Sequence, residues 1–226
     1  MIFIGEGALL RRAVRHAASH GHTIDLVCSP DPQDASGSRH LSTPDINEAV
    51  DTLLAASEDG IVWSLNNKRI LRAPLLTSGL RFFNVHNGLL PQHRGLPAVA
   101  VLFALLGGQE EYGATLHEID EGIDTGTVLA QRRFPVAPDA RYHQVMLRGI
   151  QSCHALFQDM LPAVARNEAS PPLHQPTAEP AYYGRRTLEH LGDYRDHPAF
   201  ARATDLGPFA AHTPEVSRAV AALRRG

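Results

Sequence analysis

The chain has little cysteine and no long hydrophobic run. Two cysteines among 226 residues cannot form a disulfide framework, so reduced thiols and a cytoplasmic location are expected. No apolar run approaches the roughly 20 residues needed to span a bilayer. The N-terminal run Met1–Gly5 lacks the basic start and long apolar stretch of a signal peptide, and it is typical of a first strand instead. These absences exclude a membrane protein and a disulfide scaffold.

An excess of basic charge is also missing. The formal net charge is -3, which argues against a nucleic-acid-binding surface. The chain has 13 histidines, but the cluster His16, His20 and His22 has no carboxylate or cysteine beside it. The sequence therefore predicts no metal site. Hydrophobic residues make up 43% and charged residues 20% of the chain, which is enough apolar material for a real core.

The first half of the chain alternates strand-like and helix-like segments. Short apolar runs predict strands over residues 1–5, 23–28, 60–65 and 82–86, and helical spacing predicts helices over 8–18, 46–56 and 97–106. Residues 29–45, rich in Ser, Asp and Pro, are predicted to form a surface loop. This order indicates an α/β protein with a largely parallel sheet.

The order of elements changes after residue 110. Two β-prone runs, 112–118 and 128–134, are separated only by glycine-containing turns, and we expect them to be antiparallel neighbours. A long helix is predicted from Tyr142. Several prolines between 171 and 180 then indicate a linker. The predicted domains are 1–167, catalytic, and 168–226, a linker with a small C-terminal extension.

Polar residues that could carry chemistry follow the fourth predicted strand. The run Phe83–Pro91 places Asn84 and His86 at a strand end, where ligands bind in open α/β sheets. Downstream, Gly122–Gly126 contains Asp124. An amide can stabilise an oxyanion without titrating, an imidazole can move a proton near neutral pH, and a carboxylate can orient that imidazole. Since the set has no serine or cysteine nucleophile, it favours direct attack on an activated acyl group.

The motifs around these residues resemble those of a known family. They are Asn84-x-His86-x-x-Leu89-Leu90-Pro91, then Arg94-Gly95, Gly113-Ala114-Thr115 and Asp120-x-Gly122-Ile123-Asp124-Thr125-Gly126. Together they are similar to the motifs of formyltransferases that use 10-formyltetrahydrofolate. The resemblance covers residues 60–135 by motif and the first 60 residues by fold order alone. It implies a Rossmann-like fold, formyl transfer from that donor, no metal and no covalent enzyme intermediate.

The resemblance also implies roles for individual residues. Asn84 and His86 would contact the formyl oxygen as it becomes an oxyanion, His86 would help to remove a proton from the attacking amine, and Asp124 would orient the imidazole and a water. The implied folate-binding residues are Arg69, Ile70, Leu71, Leu89, Leu90, Pro91, Asp120, Glu121 and Gly122. The last three would lie in a loop that closes over the folate.

The turn after the first predicted strand is a weaker candidate for the acceptor site. Gly5, Glu6 and Gly7 form half of a dinucleotide-binding loop, but Leu10 stands where its last glycine belongs. At most, this turn could bind an anionic group of the substrate.

Departures from individual family members narrow the expected acceptor. The slightly acidic chain lacks the large basic domain with which methionyl-tRNA formyltransferases bind tRNA, and Glu6 stands where a purine-pathway enzyme needs a phosphate cradle. The chain is closest in pattern to enzymes that formylate sugar nucleotides and peptide natural products. We therefore expect a small-molecule acceptor: a primary amine or hydroxylamine of a specialised metabolite, amino-acid derivative or amino sugar.

Other interpretations stay open at this point. A glycinamide ribonucleotide formyltransferase-like purine enzyme, a formyltetrahydrofolate hydrolase and a non-catalytic folate- or partner-binding relative are the alternatives. The predicted hairpin or the C-terminal extension could also pair two subunits into a homodimer.

Overall fold

A computed structural model describes residues 1–168 and 178–225. Its strands are β1 (Ile2–Gly5), β2 (Leu26–Ser29), β3 (His40–Ser42), β4 (Ile61–Leu65), β5 (Arg81–His86), β6 (Arg94–Gly95), β7 (Glu111–Glu118), β8 (Val128–Pro135) and β9 (Tyr182–Tyr183). Its α-helices are α1 (Gly7–Ser19), α2 (Val50–Ala56), α3 (Ala73–Leu76), α4 (Pro97–Leu106), α5 (Tyr142–Ala165), α6 (Phe200–Ala203) and α7 (Pro214–Arg225). Short 3₁₀ helices cover Pro32–Ala35, Ile46–Glu48, Arg185–Tyr194 and Gly207–Ala211. Within these described ranges, no helix is both long and apolar enough to cross a membrane.

The main sheet has the strand order β3-β2-β1-β4-β5-β7-β8. The first five strands in this order pair with one another in parallel. The hairpin β7–β8 is antiparallel, since the Glu118 N–H donates to the Thr127 carbonyl and the Val136 N–H donates to the Glu110 carbonyl. The predicted fold, a mostly parallel Rossmann-like sheet with an antiparallel pair and flanking helices, is confirmed.

Backbone contacts group the described residues into two compact units. The first unit comprises residues 1–85, 115–130 and 154–168, and the second comprises 86–114, 131–153 and 178–225. Strands β5, β7 and β8 and helix α5 each continue from one unit into the other. The predicted division at 167/168 stays a prediction, since most of its proline-rich linker lies outside the described residues.

Each unit has its own apolar core. In the first unit, Trp63 of β4 is fully buried and lies between Phe83 and Phe157, with ring centroids 5.6 and 4.8 Å away. In the second, α4 packs with Tyr112 and Tyr142 and with buried residues of the C-terminal helices. The C-terminal helices therefore complete the core of the second unit.

Two predictions of local structure were wrong. Residues 29–45 were predicted to form a surface loop, but a 3₁₀ helix and β3 lie within them, and β3 pairs with β2 in parallel. Asp31 is one of the polar residues that predicted a loop. Its side chain instead caps the 3₁₀ helix, since its carboxylate accepts from the Gln33 N–H at 2.9 Å. The helix predicted over 46–56 is interrupted: Asp45 caps a separate 3₁₀ turn, and α2 begins at Val50.

Candidate active site

Strand β5 brings Asn84 and His86 to its carboxyl end. Its parallel register pairs Asn84 with Ser64 of β4, so the amide stands at the edge where α/β sheets bind ligands. His86 is the last residue of β5 and is buried. Asn84 belongs to the first unit, whereas His86 is the first residue of the second. The sequence pattern had predicted both residues at this strand end.

In the first unit, a histidine that the sequence analysis missed lies between Asn84 and Asp124. The Nε2 atom of His117 is 3.0 Å from the Nδ2 atom of Asn84 and 3.7 Å from a carboxylate oxygen of Asp124. His117 Nδ1–H donates to the Glu118 carbonyl at 2.8 Å, so the neutral ring has its lone pair on Nε2 and accepts from Asn84. His117 therefore fixes which end of the Asn84 amide carries the N–H groups.

Asp124 lies in a loop that holds its own shape. The carboxylate of Asp120 accepts hydrogen bonds from the Gly122 N–H at 3.1 Å and from the Thr125 hydroxyl at 2.6 Å. Asp124 itself has φ +53°, the left-handed region, which aspartate tolerates better than most residues. The loop thus presents the Asp124 carboxylate beside His117. The predicted contacts of Asp120, Glu121 and Gly122 with folate stay predictions.

In the second unit, the backbone of the next loop fixes the His86 ring. His86 Nε2–H donates to the His93 carbonyl at 2.6 Å. A carbonyl can only accept, so the neutral imidazole has its lone pair on Nδ1. Gly88 lies directly against this arrangement, since a Cβ there would be 2.8 Å from His86 Nε2 and 2.7 Å from His93 Cβ. A glycine is therefore required for the ring to reach the carbonyl.

The side chain of His93 is locked inside the same loop. Its Nδ1 accepts from the Leu89 N–H at 3.0 Å, and its Nε2–H donates to the Gln109 side-chain carbonyl at 2.6 Å. His93 is only 1% exposed. Burial is the largest cause that lowers the pKa of His93 to about 4, and the nearby His86 and Arg133 add to it. The ring is neutral at physiological pH.

This buried imidazole predicts that acid destabilises the fold. Between about pH 6.5 and about pH 4, the unfolded chain binds more protons than the folded one, so the free energy of unfolding falls as the pH drops, by about 3 kcal/mol from His93 alone. Urea unfolding across this range should show the loss, and His93→Asn should show a shallower one. Equal pH dependence in the two proteins would contradict the prediction.

The predicted folate-wall residues lie in the same loop. Leu89 and Leu90 are buried, the Leu90 carbonyl accepts from the Gln131 amide at 2.8 Å, and the Leu90–Pro91 peptide is cis. The Pro91 carbonyl accepts from the Ala181 N–H at 3.1 Å. These bonds hold the loop in the second unit, and the contact of Leu89, Leu90 and Pro91 with folate stays a prediction.

The other predicted folate segment, Arg69–Leu71, lies in the first unit. Leu71 is buried in the core, whereas Ile70 is 63% exposed. The Ile70 carbonyl accepts from the Asn47 amide at 3.0 Å, and Arg69 Nε donates to the Pro44 carbonyl at 2.9 Å. The segment is thus a braced surface turn, and its contact with the pterin stays a prediction.

The turn Gly5–Gly7 carries another feature that the sequence did not predict. Glu6 pairs with Lys68, while the Gly7 N–H at the start of α1 donates to the carboxylate of Asp34 at 2.9 Å. Arg11 pairs with the other oxygen of that buried carboxylate at 2.8 Å. The start of α1 therefore already holds an anion from this chain. The predicted substrate contact of Gly5, Glu6 and Gly7 stays a prediction, and a substrate anion bound there would compete with Asp34.

The residues missed by the sequence analysis leave weak signals. In β7, alternate residues share a face, and His117 lies on the same face as the small or polar residues Gly113 and Thr115. No such spacing in the sequence marks His93 or Gln109.

Among the described residues, no group of three or more His, Cys, Asp or Glu side chains is arranged to hold a metal ion.

A family model described as Formyl transferase matches residues 38–161, more than half of the chain. The chain belongs to the formyl transferase family. The resemblance seen in the sequence motifs is thereby confirmed at the level of the family.

Individual relatives agree with this membership. Methionyl-tRNA formyltransferase of Chloroflexus aggregans is 28% identical over 187 residues, which cover 74% of this chain and 60% of that protein. The chain therefore spans about three fifths of the length of this curated relative. A sugar N-formyltransferase from Shewanella sp FDAARGOS_354 has a TM-score of 0.71 at 22% identity, covering 90% of this chain and 87% of that one.

A further solved structure shares the fold. The N-formyltransferase from Helicobacter canadensis, in complex with folinic acid and dTDP-3-aminofucose, has a TM-score of 0.66 at 19% identity and covers 82% of this chain and 70% of that one. At 22% and 19% identity, the likeness of this chain to these two solved structures shows a shared fold and nothing more.

Proposed function

We propose that this formyl transferase family member transfers a formyl group from 10-formyltetrahydrofolate to the primary amine of an amino sugar. The observation that carries the proposal is the pair Asn84 and His86 at the carboxyl end of β5. A neighbour fixes the hydrogen positions of each: His117 for the amide and the His93 carbonyl for the imidazole. Such preorganised donors and acceptors are what acyl transfer without a covalent enzyme intermediate requires.

The chemistry follows from these hydrogen positions. The acceptor amine attacks the formyl carbon, and an N–H of Asn84 stabilises the oxyanion that forms. His86 takes the proton of the attacking nitrogen on Nδ1, since its Nε2–H is held by the His93 carbonyl. The bond between the formyl carbon and N10 of the folate then breaks, and the proton passes to N10. The Asp124 carboxylate stabilises the cationic imidazole and orients a water that carries the proton.

The proposed donor rests on the family and on the predicted pocket. The relative from Helicobacter canadensis was solved with folinic acid, a formylated tetrahydrofolate. In this chain, the segments proposed to contact the donor are Arg69–Leu71, Leu89–Pro91 and Asp120–Gly122. The first two are braced by hydrogen bonds to neighbouring side chains, and the third by the Asp120 carboxylate.

An amino sugar fits the acceptor better than a purine precursor or a tRNA. Structural relatives are named as sugar N-formyltransferases or were solved with an amino-sugar nucleotide. A purine-type acceptor would place its phosphate at the start of α1, where the buried Asp34 already accepts from Gly7 and Arg11. A second carboxylate, Glu6, lies in this turn and pairs with Lys68, so a phosphate there would have to displace Asp34 from the Gly7 N–H.

The test is a formyl-transfer assay against a panel of amines. The purified protein is incubated with 10-formyltetrahydrofolate and, separately, nucleotide-linked amino sugars, free amino acids, glycinamide ribonucleotide, a hydroxylamine, or buffer alone. We expect release of tetrahydrofolate and a product heavier by one carbonyl group with an amino sugar only. Transfer to glycinamide ribonucleotide would favour the purine alternative, and release in buffer alone would favour a hydrolase.

A non-catalytic relative gives a different result in the same assay. Such a protein would bind the donor without releasing tetrahydrofolate under any condition, and calorimetric titration with folinic acid would detect that binding. A cytoplasmic location and a homodimer stay predictions.

A further inference from the structure

We propose that His93 is a positioning residue for His86, and that Gln109 holds His93 in the form needed for this role. The inference rests on the proposed function, in which His86 moves the proton during formyl transfer. All the residues involved belong to the second unit, and the roles of His93 and Gln109 are not evident from the sequence motifs.

The first step concerns which nitrogen of His93 carries hydrogen. The Leu89 backbone N–H can only donate, and it points at His93 Nδ1 over 3.0 Å. Nδ1 must therefore be an acceptor, so the ring is neutral and its hydrogen is on Nε2. Nε2 is 2.6 Å from the Gln109 side-chain carbonyl, which accepts that hydrogen. The two hydrogen bonds define a single tautomer of His93.

The second step concerns the backbone. The Leu89 N–H and the His93 side chain close a loop in which the His93 carbonyl also accepts from His86. The Tyr112 hydroxyl donates to the Asn87 carbonyl at 3.0 Å and so fixes the other side of the loop. Because the His93 side chain anchors this loop to Gln109, it sets the position of the carbonyl that holds His86 Nε2–H. A displaced carbonyl would free the ring to rotate or to change tautomer.

The third step concerns the charge state that the arrangement tolerates. The ionisable groups around His93 are His86 at the end of β5, Arg133 of β8, Tyr112 of β7 and Tyr183 of β9. Protonation would place hydrogen on His93 Nδ1, facing the Leu89 N–H, and the hydrogen bond between them would be lost. The neutral acceptor Gln109 does not stabilise the cation as a carboxylate would. Burial and the hydrogen bond from the Leu89 N–H to Nδ1 therefore both favour the neutral His93 ring.

The test separates the two hydrogen bonds of the ring. In His93→Asn, the side-chain oxygen can replace Nδ1 as acceptor for the Leu89 N–H, whereas in His93→Gln, the amide can replace Nε2 as donor to Gln109. Gln109→Glu keeps the acceptor but favours protonated His93. His190→Gln, at an exposed position, serves as the matched control for a histidine change.

The primary readout is the imidazole ¹⁵N spectrum of the full chain, assigned by comparison with His86→Gln. We expect the wild-type protein, His93→Asn and His190→Gln to show His86 as the Nε2–H tautomer, and His93→Gln to show a mixture of tautomers. In Gln109→Glu, we expect His93 to titrate at a higher pH and the His86 signal to become mixed as it does so. An unchanged His86 signal in both His93→Gln and Gln109→Glu would overturn the proposal.

Activity gives the second readout with the acceptor found in the amine panel. We expect kcat to fall about ten- to a hundredfold in His93→Gln, the scale on which small misplacement of a reacting group acts, with much less change in KM and near-complete rescue in His93→Asn. In Gln109→Glu, the fall of kcat on the acidic side of its pH profile should begin at a higher pH than in the wild-type protein. Equal losses in both His93 variants with an unshifted profile would indicate a merely structural role.

The spectrum requires no substrate, so the two proposals fail separately. If no amine is formylated, the ¹⁵N signals still decide whether His93 positions His86. If His93→Gln does not fold, Gln109→Glu gives the same decision through the titration of His93.

Discussion

Replacing His86 by alanine should lower kcat of formyl transfer by at least about a hundredfold, the usual contribution of a positioned general base. The reason is specific to this ring. The His93 carbonyl holds Nε2–H at 2.6 Å, so Nδ1 is the nitrogen that, under the proposed function, would accept the proton of the attacking amine. KM for the donor should change little, because this interaction develops mainly in the transition state. Steady-state kinetics with the acceptor from the amine panel gives both constants.

Two further variants, Asp124→Asn and His212→Ala, show whether the loss in His86→Ala is specific to the proposed site. Asp124→Asn should also lose activity, since under the proposed function the carboxylate stabilises a cationic imidazole and a neutral amide cannot. His212→Ala changes an exposed histidine of the second unit and should keep wild-type kinetics. A loss below tenfold in His86→Ala, with folding unchanged, would remove His86 from the proton-transfer role.

Part of this site could be predicted because strand ends leave a local pattern. Asn84 and His86 follow buried aromatic residues and precede a glycine and a proline, and that pattern alone predicts polar side chains at the end of a parallel strand. The hairpin β7–β8 was predictable for a similar reason, since two β-prone runs were separated only by turn residues. In each case, the residues that define the element are adjacent in the chain.

The parts that were missed depend on contacts between residues far apart in the chain. Strand β3 is short and polar, and it forms because it lies beside β2, which no property of residues 29–45 reveals. The role of His117 depends on its distance from Asn84, 33 residues away. Asp34 reaches the start of α1 across 27 residues. The local sequence predicted only a surface loop around β3 and Asp34, and only a strand around His117.

Each unit contains one candidate residue whose hydrogen positions are set by a histidine. In the first unit, His117 accepts from the Asn84 amide and so decides where its N–H groups lie. In the second, the His93 carbonyl accepts from His86 and so decides which nitrogen is basic. Asn84 is thus oriented by the side chain of a histidine, and His86 by the backbone of one. Preorganisation of this kind lowers the cost of reorganisation during the reaction.

Replacing Asn84 by alanine should lower kcat by about a hundred- to a thousandfold, the range measured when one donor to an oxyanion is removed. The side chain is neutral at every working pH, so the loss should be the same across the pH–rate profile. This separates the role of Asn84 from that of a group that gains or loses a proton over the same pH range. Stopped-flow or steady-state rates over about two pH units on either side of neutrality would measure the effect. A loss confined to low pH would contradict the role of an oxyanion donor.

The Asn84 prediction has a matched control in His117→Phe. The phenyl ring keeps much of the volume of the imidazole but cannot accept from the amide, whose Nδ2 lies 3.0 Å from His117 Nε2 in the wild-type protein. The amide remains available but can then turn its oxygen toward the developing negative charge. We therefore expect an intermediate loss, larger than that of His212→Ala and smaller than that of Asn84→Ala. If His117→Phe keeps wild-type kcat, the orientation of Asn84 must be set by something other than His117.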